Sequence, residues 1–328
     1  MHILETLKNR ARQVGGTIVL PEALDERVIR AAANIVKEKL AKVVLLSNKD
    51  QVSAKAAEVG VSLDGFEIID PAGHEKLQDF ADIFYEKRKE KGLSKEAALA
   101  TMQNPLYFGA MMVHEGLVSG MVAGAANTTG DVLRSALQVV GVMPGLKTVS
   151  SSFIMVSPKE GEESLLFSDC AVVPNPTDEQ LADIASSTAF TRKSILGDEP
   201  KVALLSFSTK GSAEHELVEK VRSAMNILKA RNVDFAYDGE LQLDAAIVES
   251  VAKSKAPNSP LQGRANTLIF PDLQSGNIGY KLVQRLAGYE AIGPIIQGLA
   301  APICDLSRGC STEDVVNTSV LVLLMSQK

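Results

Sequence analysis

Apolar runs and amphipathic segments alternate along the first half of the chain. Runs of strand length begin at Thr17, Lys42 and Phe66, and segments with helical spacing of apolar residues lie between and after them. A buried helix over NPLYFGAMMVHEG and a buried strand over LVSGMVAGA come next. Because strands that are apolar throughout alternate with helices, the pattern predicts an α/β fold with a parallel sheet covered on both faces.

The pattern changes near residue 150. The segments TVSSSFIMVS and SLLFSDCAVV flank PKEGEE, an arrangement typical of an antiparallel hairpin. Thr177 and Gln180 then have the spacing of a capping box at the start of a helix. Two more strand–helix units follow, from KVALLSFS and from NTLIFPD, and we expect the helix of the second unit to begin near Gly276.

A chain of 328 residues is long enough for two domains. We place the boundary within PGLKTVS. The segment from about residue 295 contains a further strand, loop and helix that could return to the first domain. The prediction is a first domain of residues 1–148 with 295–328, and a second of residues 149–294.

Composition narrows the functional class. The net charge is −6, which argues against a nucleic-acid protein held by phosphate contacts. Three cysteines do not form a disulfide framework, and the longest apolar stretch near the C-terminus, VLVLL, is far shorter than the ~20 residues that span a bilayer. The four histidines lack metal-binding spacing. We expect a cytoplasmic protein with no membrane, nucleic-acid or metal partner.

The first candidate site is the turn from Gly124 to Arg134, which follows a buried strand and opens a helix. Free N–H groups and partial positive charge at a helix N-terminus favour anions, and Arg134 could add a bidentate contact. The alternative is a tight turn with Asp131 near the cap. The turn is neither a Walker loop nor GxGxxG, so nucleotide binding gains no support.

Two later strand–helix junctions have similar composition. The hydroxyls around Ser208, with Lys210 and the following glycine, suit either an anion or a capped helix start. In the next junction Asn277 could cap the helix or bind a ligand, and the sequence alone favours capping.

The segment from residue 305 to residue 314 is the most informative. Ser311 and Asp314 have capping-box spacing, so Ser307, Arg308 and Cys310 precede a helix N-terminus in a positive local field. A capped helix with a surface salt bridge explains Ser311 and Asp314 but not the Ser-Arg-Gly-Cys turn. Cys310 has either a lowered thiol pKa or the role of a small buried side chain.

Several separated motifs resemble those of the phosphate acetyltransferase (phosphotransacetylase) family, in order and over essentially the whole length. They are NPLYFGAMMV, GAANTTGDVLRSALQ, SFSTKGSA, FPDLQSGNIGYK and DLSRGCSTEDVVNTS. The resemblance implies a fold similar to the isocitrate and isopropylmalate dehydrogenases: two α/β domains with an interdomain cleft, in which the C-terminal segment completes the first domain. It also implies a homodimer.

The resemblance implies reversible conversion of acetyl-CoA and phosphate to acetyl phosphate and coenzyme A. Coenzyme A would be a substrate, with no tightly bound cofactor, and acetate kinase would be the metabolic neighbour. Relatives that act on butyryl groups leave the acyl length open. The implied reacting centre is Ser307, Arg308 and Asp314, with Arg134 and Arg88 for substrate or coenzyme A. The other expected substrate-binding residues are Thr129, Gly130, Ser208, Lys210, Asn277 and Cys310.

The expected mechanism is direct transfer in a ternary complex. Asp314 accepts the thiol proton, Arg308 holds the phosphoryl oxygens and Ser307 donates to the oxyanion. Complete proton transfer between unperturbed thiol and aspartate would cost about 6 kcal/mol, which the site must reduce. The alternatives are an acetylated Cys310, a metal- and NAD(P)-dependent hydroxy-acid dehydrogenase, and a non-enzymatic module that binds coenzyme A or acyl phosphate. The absence of a clear aspartate cluster for Mg²⁺ counts against the dehydrogenase.

Overall fold

A computed structural model describes residues 3–327, and helices and strands alternate through most of it. The strands are Thr17–Leu20 (β1), Lys42–Leu46 (β2), Phe66–Ile69 (β3), Gly120–Ala123 (β4), Ser150–Val156 (β5), Leu165–Ser168 (β6), Lys201–Leu205 (β7), Ala236–Leu241 (β8), Thr267–Ile269 (β9), Glu290–Gln297 (β10) and Ile303–Asp305 (β11).

The helices include short ones beside the regular α-helices, and two single 3₁₀ turns at Pro71–Gly73 and Lys89–Lys91. The α-helices are Ile3–Val14 (α1), Glu26–Lys37 (α2), Lys49–Val59 (α3), Leu77–Arg88 (α4), Lys95–Met102 (α5), Pro105–His114 (α6), Thr129–Val139 (α7), Asp178–Ile195 (α8), Glu216–Ala230 (α9), Leu243–Ile247 (α10), Glu249–Lys255 (α11), Leu273–Leu286 (α12) and Thr312–Met325 (α13).

Two compact units divide the chain. Unit 1 contains the residues up to 143 together with those from 299 onward, and unit 2 is Pro144–Gly298. The sequence-based boundaries after residues 148 and 294 lie a few residues from these limits. The predicted boundary after residue 294 falls inside β10, which belongs to the sheet of unit 2.

Unit 1 is built on a five-stranded sheet in the order β11-β4-β1-β2-β3. Each neighbouring pair is parallel, as the apolar runs predicted. Strand β4 is buried along its length, and a Cβ on Gly120 would collide with Val322 and the Pro302 carbonyl. This glycine therefore lets the apolar helix α13 approach the sheet. Within residues 3–327, no helix is both long and apolar enough to cross a bilayer.

Unit 2 has a mixed six-stranded sheet in the order β10-β5-β6-β9-β7-β8. The predicted hairpin of β5 and β6 is confirmed, because Met155 pairs with Leu165 in antiparallel register. β10 is antiparallel to β5, whereas β6, β9, β7 and β8 run parallel. The sequence pattern missed β8, whose residues include the buried acids Asp238 and Glu240.

Two predicted helix starts have different outcomes. The capping box of Thr177 and Gln180 is confirmed in both directions at the start of α8. The predicted start of α12 near Gly276 is wrong by about one turn, because Asp272 caps the helix through the Ser275 amide. Gly276 instead lies where a Cβ would strike the Asp169 carbonyl, so it permits a close helix–loop approach.

A fully buried arginine links several parts of unit 2. Nε and Nη2 of Arg192 bind the two oxygens of Asp198 at 2.8 and 2.7 Å. Nη1 donates to the carbonyls of Ser164 and Asn266, and Nη2 also donates to Glu163. All five guanidinium N–H groups therefore have acceptors, which makes the burial of this charge tolerable.

Replacing Arg192 with alanine is expected to lower the free energy of unfolding by about 3 kcal/mol. The two carboxylates are about half exposed and can rehydrate, but the carbonyls lose buried donors. Urea unfolding measures the loss. Lys193→Ala, at the exposed neighbouring position, is the matched control and should change stability by less than about 0.5 kcal/mol. Equal effects of the two variants would contradict this stabilising role of Arg192.

Candidate active site of unit 1

A pocket of about 410 Å³ lies at the carboxyl ends of β1 and β2 in unit 1. The chain leaves β1 toward β2 on one side, whereas β4 pairs on the other side, so the strand order reverses here. Ligands of open α/β sheets bind at such a switch point. The lining residues are 21–25, 46–47, 104–106 and 126–127.

The turn that follows β4 already holds an anion from the chain itself. The Oε2 atom of Glu22 accepts the amides of Gly124 and Ala125, and Oε1 accepts those of Ala126 and Asn127 at 2.7 to 3.0 Å. The Asn127 side chain adds a fifth donor. We call the amides of residues 124–127 the amide nest. Because Glu22 occupies the nest, residues 124–127 favour the alternative of a tight turn over an anion site.

The hydrogen-bonding groups at the start of α7 also have partners within the chain, as the alternative of a capped turn predicts. Thr128 is the N-cap and accepts the Asp131 amide, and its hydroxyl donates to the Asp131 carboxylate at 2.7 Å. Thr129 and Gly130 follow in the first turn and are exposed. These two predicted residues remain at the carboxyl edge of the sheet, next to the pocket-lining residues 126–127.

An arginine that sequence reasoning missed links the two loops at this edge. Arg27 Nη2 donates to the Ala125 carbonyl at 2.6 Å, while Nη1 donates to the carbonyls of Arg308 and Cys310. Asp25 holds the same guanidinium at 2.7 Å, and this hydrogen-bonded pair lowers the pKa of the carboxyl. Arg27 thus fixes the position of the loop 306–310 relative to the amide nest.

A second buried carboxyl group lies between those loops. Thr129 Oγ1 donates to Asp305 Oδ2 at 2.6 Å, whereas Asp305 Oδ1 has no hydrogen-bond partner among the described residues. Burial raises the pKa of Asp305 to about 6, with Glu22 adding to the rise and the Thr129 hydrogen bond opposing it. A carboxyl perturbed in this way is typical of functional sites. In the sequence, the only indication of a functional role for Asp305 is its place at the end of an apolar strand.

The three predicted reacting residues lie on one short segment after β11. Ser307, Arg308 and Asp314 are exposed, and Gly309 donates its amide to Ser307 Oγ. The predicted capping box is confirmed: Asp314 Oδ2 accepts the Ser311 amide at 2.8 Å, and Ser311 Oγ accepts the Asp314 amide. This cap fixes the Oδ2 atom of Asp314 and does not engage its Oδ1 atom.

The prediction of a lowered thiol pKa at Cys310 is wrong. Cys310 is buried, and this burial raises the pKa of its thiol, although the nearby Arg27 charge opposes the rise. Asp314 raises the pKa further. The thiol therefore has the properties of the small buried side chain that the sequence offered as the alternative, and a nucleophilic thiolate gains no support.

Two predicted arginines lie on the same side of unit 1, near the phenol of Tyr107. Burial raises the pKa of Tyr107, while the charges of Arg134 and Arg88 oppose that rise. Arg134 is exposed and pairs with Asp131 at 2.7 Å, and Arg88 ends α4. Their common influence on one phenol shows that the structure brings these two basic groups into one neighbourhood.

The predicted residues of unit 2 have internal partners. Ser208 Oγ donates to Glu240 at 3.0 Å, and Lys210 pairs with Asp238. Burial alone would raise the pKa of Glu240, but Arg222 and neighbouring donors lower it to about 2. The loop is therefore held by acidic side chains. The helix that follows, α9, is capped by His215 rather than by a hydroxyl of the loop.

Asn277 also has a structural contact in unit 2. Its side chain lies inside α12, not at the cap, and Nδ2 donates to the Cys170 carbonyl at 3.0 Å. The capping interpretation of Asn277 is therefore wrong. In residues 3–327, histidine, cysteine and acidic side chains form no group of three or more arranged for a metal ion.

The chain matches the family described as "Phosphate acetyl/butaryl transferase" over residues 2–323. A protein named phosphate acetyltransferase from Thermoanaerobacterium thermosaccharolyticum is 53% identical, with all of both chains covered. The chain belongs to this family. Its relatives are named as transferases, so the chain is an enzyme of the acyltransferase class.

Solved structures agree with the family assignment. A phosphotransacetylase from Staphylococcus aureus aligns with a TM-score of 0.92 at 41% identity, covering 99% of this chain and 98% of that one. A structure titled as a putative 4-hydroxythreonine-4-phosphate dehydrogenase from Salmonella typhimurium aligns at 0.55, with 10% identity and coverage of 94% and 98%. The second match shows the fold alone and confirms the predicted dehydrogenase-like α/β class of this acyltransferase family.

Asp305 is expected to make the stability of the enzyme depend on pH. Its pKa in the folded protein, about 6, exceeds the ordinary value near 3.9, so folding favours the protonated form. The free energy of unfolding should therefore fall as the pH rises from 4 to 6, by on the order of 2 kcal/mol. Asp305→Asn should lack this fall. Denaturant unfolding at pH 4, 5, 6 and 7 tests it, and parallel pH profiles of the two proteins would contradict it.

Proposed function

We propose that the enzyme transfers an acetyl group reversibly between coenzyme A and phosphate. The observation that carries the proposal is the segment 305–314, with its Ser-Arg-Gly-Cys turn, held beside the 124–130 turn at the carboxyl edge of the unit 1 sheet. The choice of an acetyl group and of phosphate as substrates follows the name of full-length relatives, which are called phosphate acetyltransferase.

In the proposed reaction, the coenzyme A thiolate attacks the carbonyl carbon of acetyl phosphate in a ternary complex. The new carbon–sulfur bond forms as the carbon–oxygen bond to phosphate breaks. Arg308 binds the phosphoryl oxygens and Ser307 donates a hydrogen bond to the oxyanion. Both side chains are exposed on a loop whose backbone Arg27 binds, so they are accessible to acetyl phosphate and coenzyme A.

Asp314 is the proposed acceptor of the thiol proton. Its Oδ2 atom is fixed by Ser311, so Oδ1 is the oxygen we assign to the thiol. Transfer to an ordinary aspartate would cost about 6 kcal/mol. Exclusion of water by bound substrates would reduce that cost by favouring the neutral acid, while Arg308 stabilises the thiolate.

Arg134 and Arg88 are proposed to bind the phosphate groups of coenzyme A. Both carry positive charge near Tyr107. Thr129 and Gly130 would contact the substrate at the edge of the sheet. Ser208, Lys210 and Asn277 retain a proposed substrate role only if ligand binding rearranges the internal contacts that now engage their side chains.

The metabolic role, location and oligomeric state of the enzyme are also proposed. Coenzyme A acts as a substrate and not as a tightly bound cofactor, and the acetyl phosphate would be consumed or supplied by an acetate kinase in the cytoplasm. A homodimer is supported by an unpartnered apolar face on α12. Three residues spaced by four along that helix are more than half exposed: Ile278, Leu282 and Leu286.

The purified enzyme is expected to form a thioester from acetyl phosphate and coenzyme A, with release of phosphate. Thioester absorbance measures the rate, and butyryl phosphate in a parallel assay decides between the two acyl groups in the family description. Faster turnover of the butyryl substrate would change the proposed acyl group. Absence of turnover with both would reject the function. Nicotinamide reduction with a hydroxy acid would favour a dehydrogenase instead.

Substitutions in the 305–314 segment separate the proposed roles. Ser307→Ala should raise the activation free energy by about 3 kcal/mol if the hydroxyl stabilises the oxyanion. Asp314→Asn should lower kcat far more than it raises KM, because proton acceptance occurs in the transition state. Steady-state kinetics with both substrates measure these effects. A change confined to KM in the Asp314 variant would remove its role as base.

Cys310→Ala is the internal control, since a direct transfer needs no protein thiol and this variant should retain substantial activity. Labelled acetyl recovered on wild-type protein would instead revive the covalent scheme.

A further inference from the structure

The amide nest and Asp305 form one connected network that the proposed mechanism does not use. Glu22 follows β1, the nest follows β4 and Asp305 ends β11, so three neighbouring strands contribute to it. The Glu22 charge acts on Asp305, and Thr129 connects Asp305 to the start of α7. The network therefore lies under both loops that carry predicted substrate-binding residues.

The hydrogen-bond capacity of the Glu22 carboxylate is fully used in this network. Its two oxygens accept five donors, four of them successive backbone amides, and the residue is buried. A carboxylate that meets converging amides at 2.7 to 3.0 Å fixes the turn in one conformation. It also keeps phosphate out of the nest.

The conformation of the turn is transmitted to the reacting segment by three contacts. Leu306 donates its amide to the Ala123 carbonyl at 2.7 Å, and Thr129 donates to Asp305. A Cβ on Gly124, whose φ is +109°, would collide with Asp305 and with the Leu306 backbone. The turn and the segment before Ser307 are thus in direct contact, and a shift of one displaces the other.

We propose that Glu22 is a positioning residue for acyl transfer: its carboxylate fills the amide nest and thereby sets the placement of Thr129 and of the segment carrying Ser307 and Arg308. The proposal rests on the proposed function. Glu22 does not touch the substrate in this scheme. Its effect on the rate comes from the geometry of the residues that do.

Glu22→Ala tests the proposal because it leaves the nest empty for an added carboxylate. We expect kcat to fall by roughly 10- to 100-fold, with a smaller change in KM. Formate should then raise kcat saturably, compared with chloride at the same ionic strength, since it can supply the missing oxygens. A loss of kcat that formate does not reverse in a folded variant would overturn the proposal.

Glu26→Ala is the matched control, because Glu26 is an exposed carboxylate of the same strand–helix junction and pairs with Arg30. It should retain wild-type kcat and show no response to formate. Thermal unfolding with and without formate supplies a readout independent of catalysis: formate should raise the melting temperature of Glu22→Ala but not that of wild type or Glu26→Ala.

Glu22→Gln supplies a second readout if the alanine variant fails to fold. One carboxylate oxygen becomes an NH₂ group, which cannot accept the two amides that this oxygen binds in the nest. We therefore expect kcat to fall with a smaller change in KM, as for the alanine variant. A folded Glu22→Gln variant with wild-type kcat would overturn the proposal.

The outcomes also distinguish this inference from the proposed function. Wild-type enzyme without activity on either acyl phosphate rejects the function and, with it, a positioning role in that reaction. Active wild-type enzyme together with a fully active Glu22→Ala variant rejects the positioning role alone.

Discussion

A buried carboxylate is stable only where hydrogen-bond donors replace the water it has lost, and Glu22 meets this requirement with five. Because four donors are successive amides of one turn, the requirement fixes backbone as well as side chain. The turn contacts the segment after β11, so the location of the predicted reacting residues depends on this one acidic group. Arg27 holds the carbonyl side of the same loops.

Unit 2 meets the same physical requirement with the opposite charge. Arg192 is buried because two carboxylates and two carbonyls accept its five N–H groups. Asp169 repeats the pattern of Glu22, accepting the amides of residues 171–173 as well as Ser151. Glu22 in unit 1, and Arg192 and Asp169 in unit 2, therefore fix neighbouring loops through buried charged groups with several partners each, in addition to an apolar core.

The features predictable from sequence are those set by local rules. Apolar runs located β1, β2 and β4, and residue spacing located the capping boxes at Thr177 and Ser311. Strand β8 escaped because Asp238 and Glu240 are buried against Lys210 and Arg222, partners distant in sequence. For the same reason the sequence leaves open whether residues 124–127 bind a substrate anion or form a tight turn. The spacing of glycine and small residues predicts an anion there but does not say that the chain supplies it.

Unit 1 is formed by two segments that are far apart in the sequence, and this affects how it folds while the chain is being synthesised. Unit 2 is continuous and can assemble its sheet while the last segment is still being synthesised. The β4 edge of the unit 1 sheet stays uncovered until β11 and the apolar α13 arrive. Nascent unit 1 thus exposes an unpaired strand and its apolar surface for longest, and this is where a chaperone would have most to protect.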